Sequence, residues 1–257
     1  MKKSLLLIML LAIIFPLSAC SSKRTKVSEP QKLPESQQIA VNSKKWEEQT
    51  KDLAVVHNSQ YSDDYAGSVH SVADFKKINS ETWVIKAKVL NLGKVINKKH
   101  SASELPPVFT RGEVKVDQVI GGSNKLNKKI INLVFWGGIT SKDNSFSFTS
   151  NKGIKKFDHP VLIQDDNAPL PKIGSEIILA IQSVDWPYYS SYEHLDENGF
   201  KEDTTFQPVM ANIHFWVKEP GAKEFVLNNS LIKNKQDASP IIIEKNMTDE
   251  INQEYNN

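Results

Sequence analysis

The sequence has one cysteine, Cys20, and two arginines, Arg24 and Arg111, in 257 residues. A single cysteine excludes a disulfide bond within the chain. The longest apolar run, Leu5–Phe15, has eleven residues, whereas a membrane-spanning helix needs about 20. The run is therefore too short to cross a bilayer, and it has the length of the hydrophobic part of a signal peptide.

The chain also lacks a lasting excess of positive charge. It has 32 Lys and Arg against 30 Asp and Glu, a formal charge of +2. Because Lys2 and Lys3 both precede Cys20, a chain that begins at Cys20 has 30 basic and 30 acidic residues and no formal charge. Such a chain has no net field to attract nucleic acid or anionic lipid, so we expect no nucleic-acid partner.

Leu17-Ser18-Ala19-Cys20 directly follows the apolar run and its Pro16. This segment resembles the lipobox of bacterial lipoproteins, in which cleavage makes the cysteine the first residue. The resemblance implies a signal peptide over residues 1–19 and a diacylglycerol on Cys20, with further acylation by palmitate. Two acyl chains give stable anchoring. We therefore expect a lipoprotein on the extracytoplasmic face of the cell membrane; the alternative is an ordinary signal peptide with a chance cysteine.

Composition divides the exported part into four segments. Residues 20–43 are rich in Ser, Gln and Pro, so we expect a lipidated tether without a core. Residues 44–79 predict a helical extension, with one helix over Trp46–His57 and another near Ser71. The strands and the final helix fall in the two remaining segments, which are residues 80–227 and 228–257.

Short runs in residues 80–227 alternate apolar and polar side chains and are separated by Gly and Pro. That pattern predicts half-buried strands. Pro208–Val217 is predicted as a single strand, with His214 on its polar face. We expect this histidine to face solvent, and the alternative is that it faces a ligand. In the last segment Ile243, Met247, Ile251 and Tyr255 recur every four residues, which predicts an amphipathic helix. Many short strands and few helices indicate a mainly β protein with a small barrel or sandwich.

Four segments together are similar to a known family. Trp83–Gly93 ends a strand in small residues, Glu113–Gly122 resembles a "vkVxxVlkG" segment, Ile130–Gly138 resembles its "ItVxxxGG" partner, and Pro171–Ala180 resembles a "lxxGexyllfL" segment. These resemble the OB-like β-barrel domains of secreted, uncharacterised Gram-positive proteins. The resemblance implies a small OB-like barrel with flanking helices, and it implies no catalytic residues.

No familiar catalytic or metal-binding motif occurs in the sequence. The six histidines form no His-Glu-x-x-His motif and do not pair with a cysteine. Asp165-Asp166-Asn167 and Asp196–Gly199 are rich in oxygen ligands, but turn formation explains both better than calcium binding. Ser230–Lys233 has the Ser-x-x-Lys spacing without its companion motifs. We expect no catalytic residue, no cofactor and no metal site.

Aromatic side chains are concentrated in one segment without strand alternation, which contains Trp186, Tyr188, Tyr189 and Tyr192. Exposed aromatic rings beside hydroxyls suit sugar stacking, peptide binding or protein contact, so we expect the ligand near this segment and the Phe146–Phe148 insertion. The alternative is a loop folded over the end of the barrel, whose rings complete the core.

The sequence therefore favours a non-catalytic binding or envelope-interaction module, with an envelope protein or a glycan as its partner. An envelope hydrolase is the alternative, and it predicts that His159 meets Asp165 or that His194 meets Glu197 in one pocket. A purely structural or immunity-type lipoprotein is the third interpretation, and it predicts no deep pocket.

Overall fold

The computed structural model describes residues 33–58, 69, 71–77, 81–95, 108–140, 146–149, 153–186, 195–233 and 239–256. The helices are α1 Glu35–Thr50, α2 Val72–Phe75, α3 Ser230–Lys233 and α4 Ser239–Tyr255. The strands are β1 Val55–Asn58, β2 Thr82–Lys94, β3 Phe109–Gly121, β4 Ile130–Trp136, β5 Gly138–Ile139, β6 Phe146–Thr149, β7 Gly153–Lys156, β8 Leu162–Asp165, β9 Glu176–Ser183, β10 Thr205–Val209, β11 Phe215–Lys218 and β12 Val226–Leu227.

Five strands close into a barrel. Strand β2 pairs with β3, β3 with β4, β4 with β10, β10 with β9, and β9 returns to β2. All of these pairs are antiparallel except β4 with β10, which is parallel. The closed ring leaves no free edge between its first and last strands. The prediction of a mainly β protein with a small OB-like barrel and flanking helices is confirmed.

Alternation along the strands fills the barrel interior. Ile85, Ala87 and Val89 of β2 point inward and are fully buried, because successive strand side chains point to opposite faces. The other barrel strands contribute buried side chains in the same way, including Val114, Val116, Ile131, Leu133, Ile177, Leu179 and Ile181. The inward positions of β2 are those that its alternating sequence predicted.

A second apolar cluster lies on the outer side of β2 and β9 and joins them to the helices. Buried residues from β11, α2 and α4 meet there. Trp216 Nε1 donates to Thr248 Oγ1 at 2.9 Å, and Lys86 Nζ donates to the carbonyl of Tyr255 at 2.6 Å. A cation at a helix C-terminus is stabilising because of the helix dipole. This outer cluster contains Val72, Phe75, Val84, Ile178, Ala180, His214, Trp216, Phe225, Met247 and Ile251.

The outer face of β3 and β4 is partly covered by the segment that follows β9. Leu195 and Phe200 are buried there against Phe109 and Val134. Arg111 Nη1 donates to the carbonyl of Asn198 at 3.0 Å. The surface of the barrel that this segment covers is therefore closed to a ligand in this structure.

Two N-terminal predictions are wrong. Residues 35–43, expected to belong to the tether, are helical, because Glu35 bonds to Lys115 and the apolar side chains of α1 pack against the barrel core. The helix expected over Trp46–His57 ends at Thr50. Val55–Asn58 instead forms β1, which pairs in parallel with β8. Contacts between distant residues determine where α1 begins and where it ends, and the local spacing of apolar residues does not indicate those contacts.

Candidate functional site

A groove opens between α1 and the barrel and has a cavity volume of about 500 Å³. Its walls come from α1, from β8, from the segment that leads into β9, and from the turn after β11. The lining residues are Ser43, Trp46, Glu47, Thr50, Leu92, Leu162, Ile163, Gln164, Leu170, Pro171, Lys172, Ile173, Glu219 and Pro220.

The floor of the groove is apolar, whereas its walls combine apolar side chains with polar ones such as Ser43, Thr50 and Gln164. Leu92, Ile163 and Ile173 are buried beneath it. Leu162 and Leu170 are half-buried, so part of each side chain faces the opening. Apolar surface that remains partly exposed in a concave site is typical of ligand-binding grooves.

Helix α1 forms one wall and is attached to the barrel by a few defined contacts. Trp46 and Ile39 pack against the barrel core, and Asn42 Nδ2 donates to the carbonyl of Leu90 at 2.9 Å. None of the residues of α1 is fully buried. The wall that α1 provides is therefore held by scattered contacts on one side of the helix.

The first residue of α1 provides the electrostatic attachment. Glu35 Oε2 accepts from Lys115 Nζ at 2.6 Å, and its other oxygen lies 3.7 Å from Lys88 Nζ. The hydrogen bond from Lys115, followed by the charges of both lysines, lowers the pKa of Glu35. Because all three side chains are about one-third exposed, solvent screens this attachment, and it positions α1 more than it stabilises the fold.

Charges lie at the rim of the groove. Lys172 Nζ is 2.7 Å from Glu219 Oε2, and both side chains are exposed, so their charges offset each other. Glu47 also lies on the rim, and no base among the described residues is paired with its carboxylate. The described rim therefore has one uncompensated negative charge beside an apolar surface.

The predicted aromatic site is only partly described. Trp186 is half-buried and packs against the cluster of Phe109, Leu195 and Phe200. The position of Trp186 agrees with the alternative interpretation of this segment, in which its aromatic rings complete the core. Tyr188, Tyr189 and Tyr192 lie outside the described residues, and so does Cys20.

The histidine pairs expected for a hydrolase can be tested in part. His159 Nδ1 bonds to Asp158 Oδ1 at 2.6 Å, and both side chains are exposed. Asp165, its expected partner, instead accepts from the backbone N–H of Asn167 at 2.9 Å. His194 lies outside the described residues. The structure therefore gives His159 a neighbouring surface partner.

A different histidine–carboxylate pair joins the ends of the parallel strands β1 and β8. His57 Nδ1 is 2.7 Å from Asp166 Oδ1, with His57 more than half exposed. Ser230 lies beside this pair, but its hydroxyl donates to the backbone carbonyl of Asp166 at 2.8 Å. A nucleophilic serine would direct that proton to a histidine nitrogen, so the hydrogen bond of Ser230 to Asp166 is a structural contact.

Both oxygen-rich segments form turns. The Asp165–Asn167 hydrogen bond is the side-chain turn that Asp favours, and burial raises the pKa of Asp165. Gly199 has a φ of +79° and its N–H donates to the carbonyl of Asp196 at 3.0 Å. The turn interpretation is confirmed for both segments. Among the described residues, no three His, Cys, Asp or Glu side chains are grouped so that they could hold a metal ion.

His214 was wrongly predicted to face solvent. The predicted strand Pro208–Val217 is interrupted by a turn at Met210, which has a φ of +51°, so β10 and β11 are separate strands. The turn places His214 in the outer cluster with 0% exposure, against the rings of Phe75 and Trp216. Neither ring nitrogen has a hydrogen-bond partner among the described residues, and burial lowers the pKa of His214 to about 4.

Sequence reasoning did not find the groove. Trp46 was noted only as an apolar position of a helix, and Leu92, Leu162 and Leu170 lie in three separate segments. A local signal is that Trp46 is the largest apolar side chain in a mostly polar helix. Such a residue indicates that the helix contacts something, but not which surface it contacts.

No protein-family model, curated protein or solved structure matches the chain. The helices in the described part of the chain include none that combines the length and the apolar character needed to cross a membrane.

Proposed function

We propose that the protein is a lipid-anchored binding module on the extracytoplasmic face of a bacterial membrane. The groove between α1 and the barrel is its binding surface, and an envelope component is its partner. The groove carries this proposal, because it is an open cavity that combines an apolar floor with polar groups in its walls. Its volume of about 500 Å³ falls within the range of roughly 300–1,000 Å³ that is typical of ligand sites.

Trp46 is a side chain from which we expect a large contribution to the free energy of binding. It is half-buried, lines the groove and already packs on the barrel core, so its ring is held in place before a ligand arrives. Tryptophan is enriched among the residues that contribute most to binding, since it buries a large rigid surface at a low cost in side-chain entropy.

The anchor rests on the sequence Leu17–Cys20 and the apolar run before it. A diacylglycerol on Cys20 would keep the chain at the membrane, because two acyl chains bind a bilayer stably where one does not. Labelled palmitate should therefore enter the wild-type protein and fail to enter a Cys20→Ala variant.

The groove is tested by a photo-crosslinking amino acid placed at Leu170 in the full chain, in cells of the host bacterium. Leu170 is half-buried and faces the groove, so we expect adducts with an envelope component. The matched control is the same amino acid at Trp136, which is 53% exposed on β4 and does not line the groove. Equal adducts at the two positions, or none at Leu170, would refute the groove as the binding surface.

A further inference from the structure

One edge of β2 has no strand beside it where the groove begins. Strand β9 pairs with β2 only from Thr82 to Lys88, whereas β3 pairs with it as far as Lys94. The hydrogen bonds between Val89 and residues 174 and 175 complete the β9 side. In the part of the chain that the structure describes, no strand flanks residues 91–94 on that side.

A bulge lies at the start of this edge. The pairing of β2 with β3 shifts between Val89 and Asn91, so Leu90 is an additional residue. A bulge bends its strand and increases the local twist. The carbonyl of Leu90 is bonded to the side chain of Asn42, and Leu92, two residues on, lines the groove. The part of β2 that no described strand flanks on the β9 side therefore includes one residue of the groove lining, Leu92.

We propose that the groove receives an extended peptide segment of a partner protein, which has apolar side chains and a basic residue, and which pairs its backbone with residues 91–94 of β2. This inference rests on the proposed function. Addition of a strand to an exposed sheet edge gives affinity through the main chain and specificity through pockets for alternate side chains. Trp46, Leu162 and Leu170 provide the apolar contacts for those side chains.

The rim determines the charge of the peptide. Lys172 is already paired with Glu219. Among the described residues of the rim, the negative charge that remains for a ligand is therefore that of Glu47. A lysine or arginine in the peptide would complement it. Because Glu47 is exposed, this charge contributes to selectivity and to the rate of association more than to affinity.

Other occupants use the site less completely. An acyl chain would fill the cavity but has no donors or acceptors for the strand edge, and buried polar groups without partners are costly. A glycan would find hydrogen-bond partners at Ser43, Thr50 and Gln164, but its hydroxyl groups would lose hydrogen bonds to water against the apolar floor. An extended peptide satisfies both the apolar floor and the edge.

The first experiment selects linear peptides from a random heptapeptide library against the full, detergent-purified protein, and measures the affinity of a synthetic peptide from that selection. We expect alternating apolar residues and at least one Lys or Arg. Methylating single backbone nitrogens of the peptide should weaken binding at every second position only, because successive N–H groups of a strand point to opposite sides. Equal effects at all positions, or none, would refute strand pairing.

The second experiment compares two neighbouring charge reversals on α1. Glu47→Lys should weaken binding of the selected peptide at least about threefold and change its preference from basic to acidic residues. Glu48→Lys is the matched control, because Glu48 is an exposed neighbour outside the groove, and we expect less than about a twofold effect. Equal effects would refute the role of Glu47.

Failure of this inference is distinguishable from failure of the proposed function. Decanoic acid and a chitin oligosaccharide are titrated into the same protein beside the peptide. If no library peptide binds but Leu170 still crosslinks to an envelope component in cells, the groove is a binding surface and its occupant is not a peptide. If Leu170 does not crosslink either, the proposed function itself is wrong.

Discussion

A His214→Leu variant is expected to lose one large contribution to the acid dependence of the protein's stability. His214 is fully buried, and neither ring nitrogen has a hydrogen-bond partner in the described part of the chain. Burial disfavours the charged imidazolium and lowers the pKa from 6.5 to about 4. The histidine therefore folds neutral, and its protonation favours the unfolded chain.

The direction of the effect follows from proton uptake. Between the ordinary pKa of 6.5 and the folded-state pKa of about 4, the unfolded chain binds a proton at this site and the folded chain does not. The stability that neutral His214 contributes is fully present above pH 6.5. It is lost as the pH falls toward 4, and below pH 4 the histidine is protonated in the folded chain too. The shift corresponds to a loss of about 3 kcal/mol across this window.

Urea unfolding, followed by tryptophan fluorescence at several pH values across that window, measures this loss. The wild type should lose stability toward acid, and His214→Leu should lose about 3 kcal/mol less. The control is His159→Leu, which removes an exposed histidine that is bonded to exposed Asp158. Solvent screens that pair, so this variant should keep most of the wild type's loss of stability toward acid. If the His214 and His159 variants show the same pH dependence, His214 is not the buried neutral group described above.

The second large effect is expected at the C-terminal helix. Ile251→Ala should reduce the free energy of unfolding by about 2–5 kcal/mol, because it leaves a cavity in a packed cluster. Ile251 has 0% exposure and packs with Met247 against the outer face of β2 and β9. Helix α4 is part of the core of the fold, and the chain depends on it for stability.

The matched control for Ile251→Ala is Gln253→Ala, two residues further along the same helix. Gln253 is exposed, so its replacement should change the unfolding free energy by less than about 0.5 kcal/mol. The comparison is made from urea midpoints at neutral pH. A loss below about 1 kcal/mol for Ile251→Ala would contradict the packing of α4 on the barrel.

The sequence was sufficient for the architecture where a pattern is local and repeated. Alternation along Trp83–Val89 identified the inward face of β2, and the four-residue spacing of Met247 and Ile251 identified the buried face of α4. These assignments succeeded because the spacing of the apolar residues equals the repeat of a strand or of a helix, and this places them on one buried face.

The sequence was insufficient where one residue or a distant contact decides the structure. Met210 adopts a positive φ, which is uncommon for a residue with a side chain, and that single turn moved His214 from the expected polar face into the core. Helix α1 begins at Glu35, and its carboxylate is bound by Lys115, which is 80 residues away in sequence.

The groove illustrates the same limit for function. Its walls come from segments between Ser43 and Pro220, and no two of these segments form a motif. A binding site made of apolar side chains lacks the fixed spacing of a metal or phosphate site, because its chemistry depends on shape.

The contribution of Trp46 to partner capture is the most direct measure of the central claim. The crosslinker at Leu170 is combined with either Trp46→Ala or Trp136→Ala, and the adduct is quantified in living cells at equal protein levels. Removing Trp46 should reduce the adduct at least about tenfold, because a buried tryptophan contact contributes well over 1.4 kcal/mol, whereas removing Trp136 should leave it unchanged. An adduct that survives the loss of Trp46 as well as the loss of Trp136 would contradict binding between α1 and the barrel.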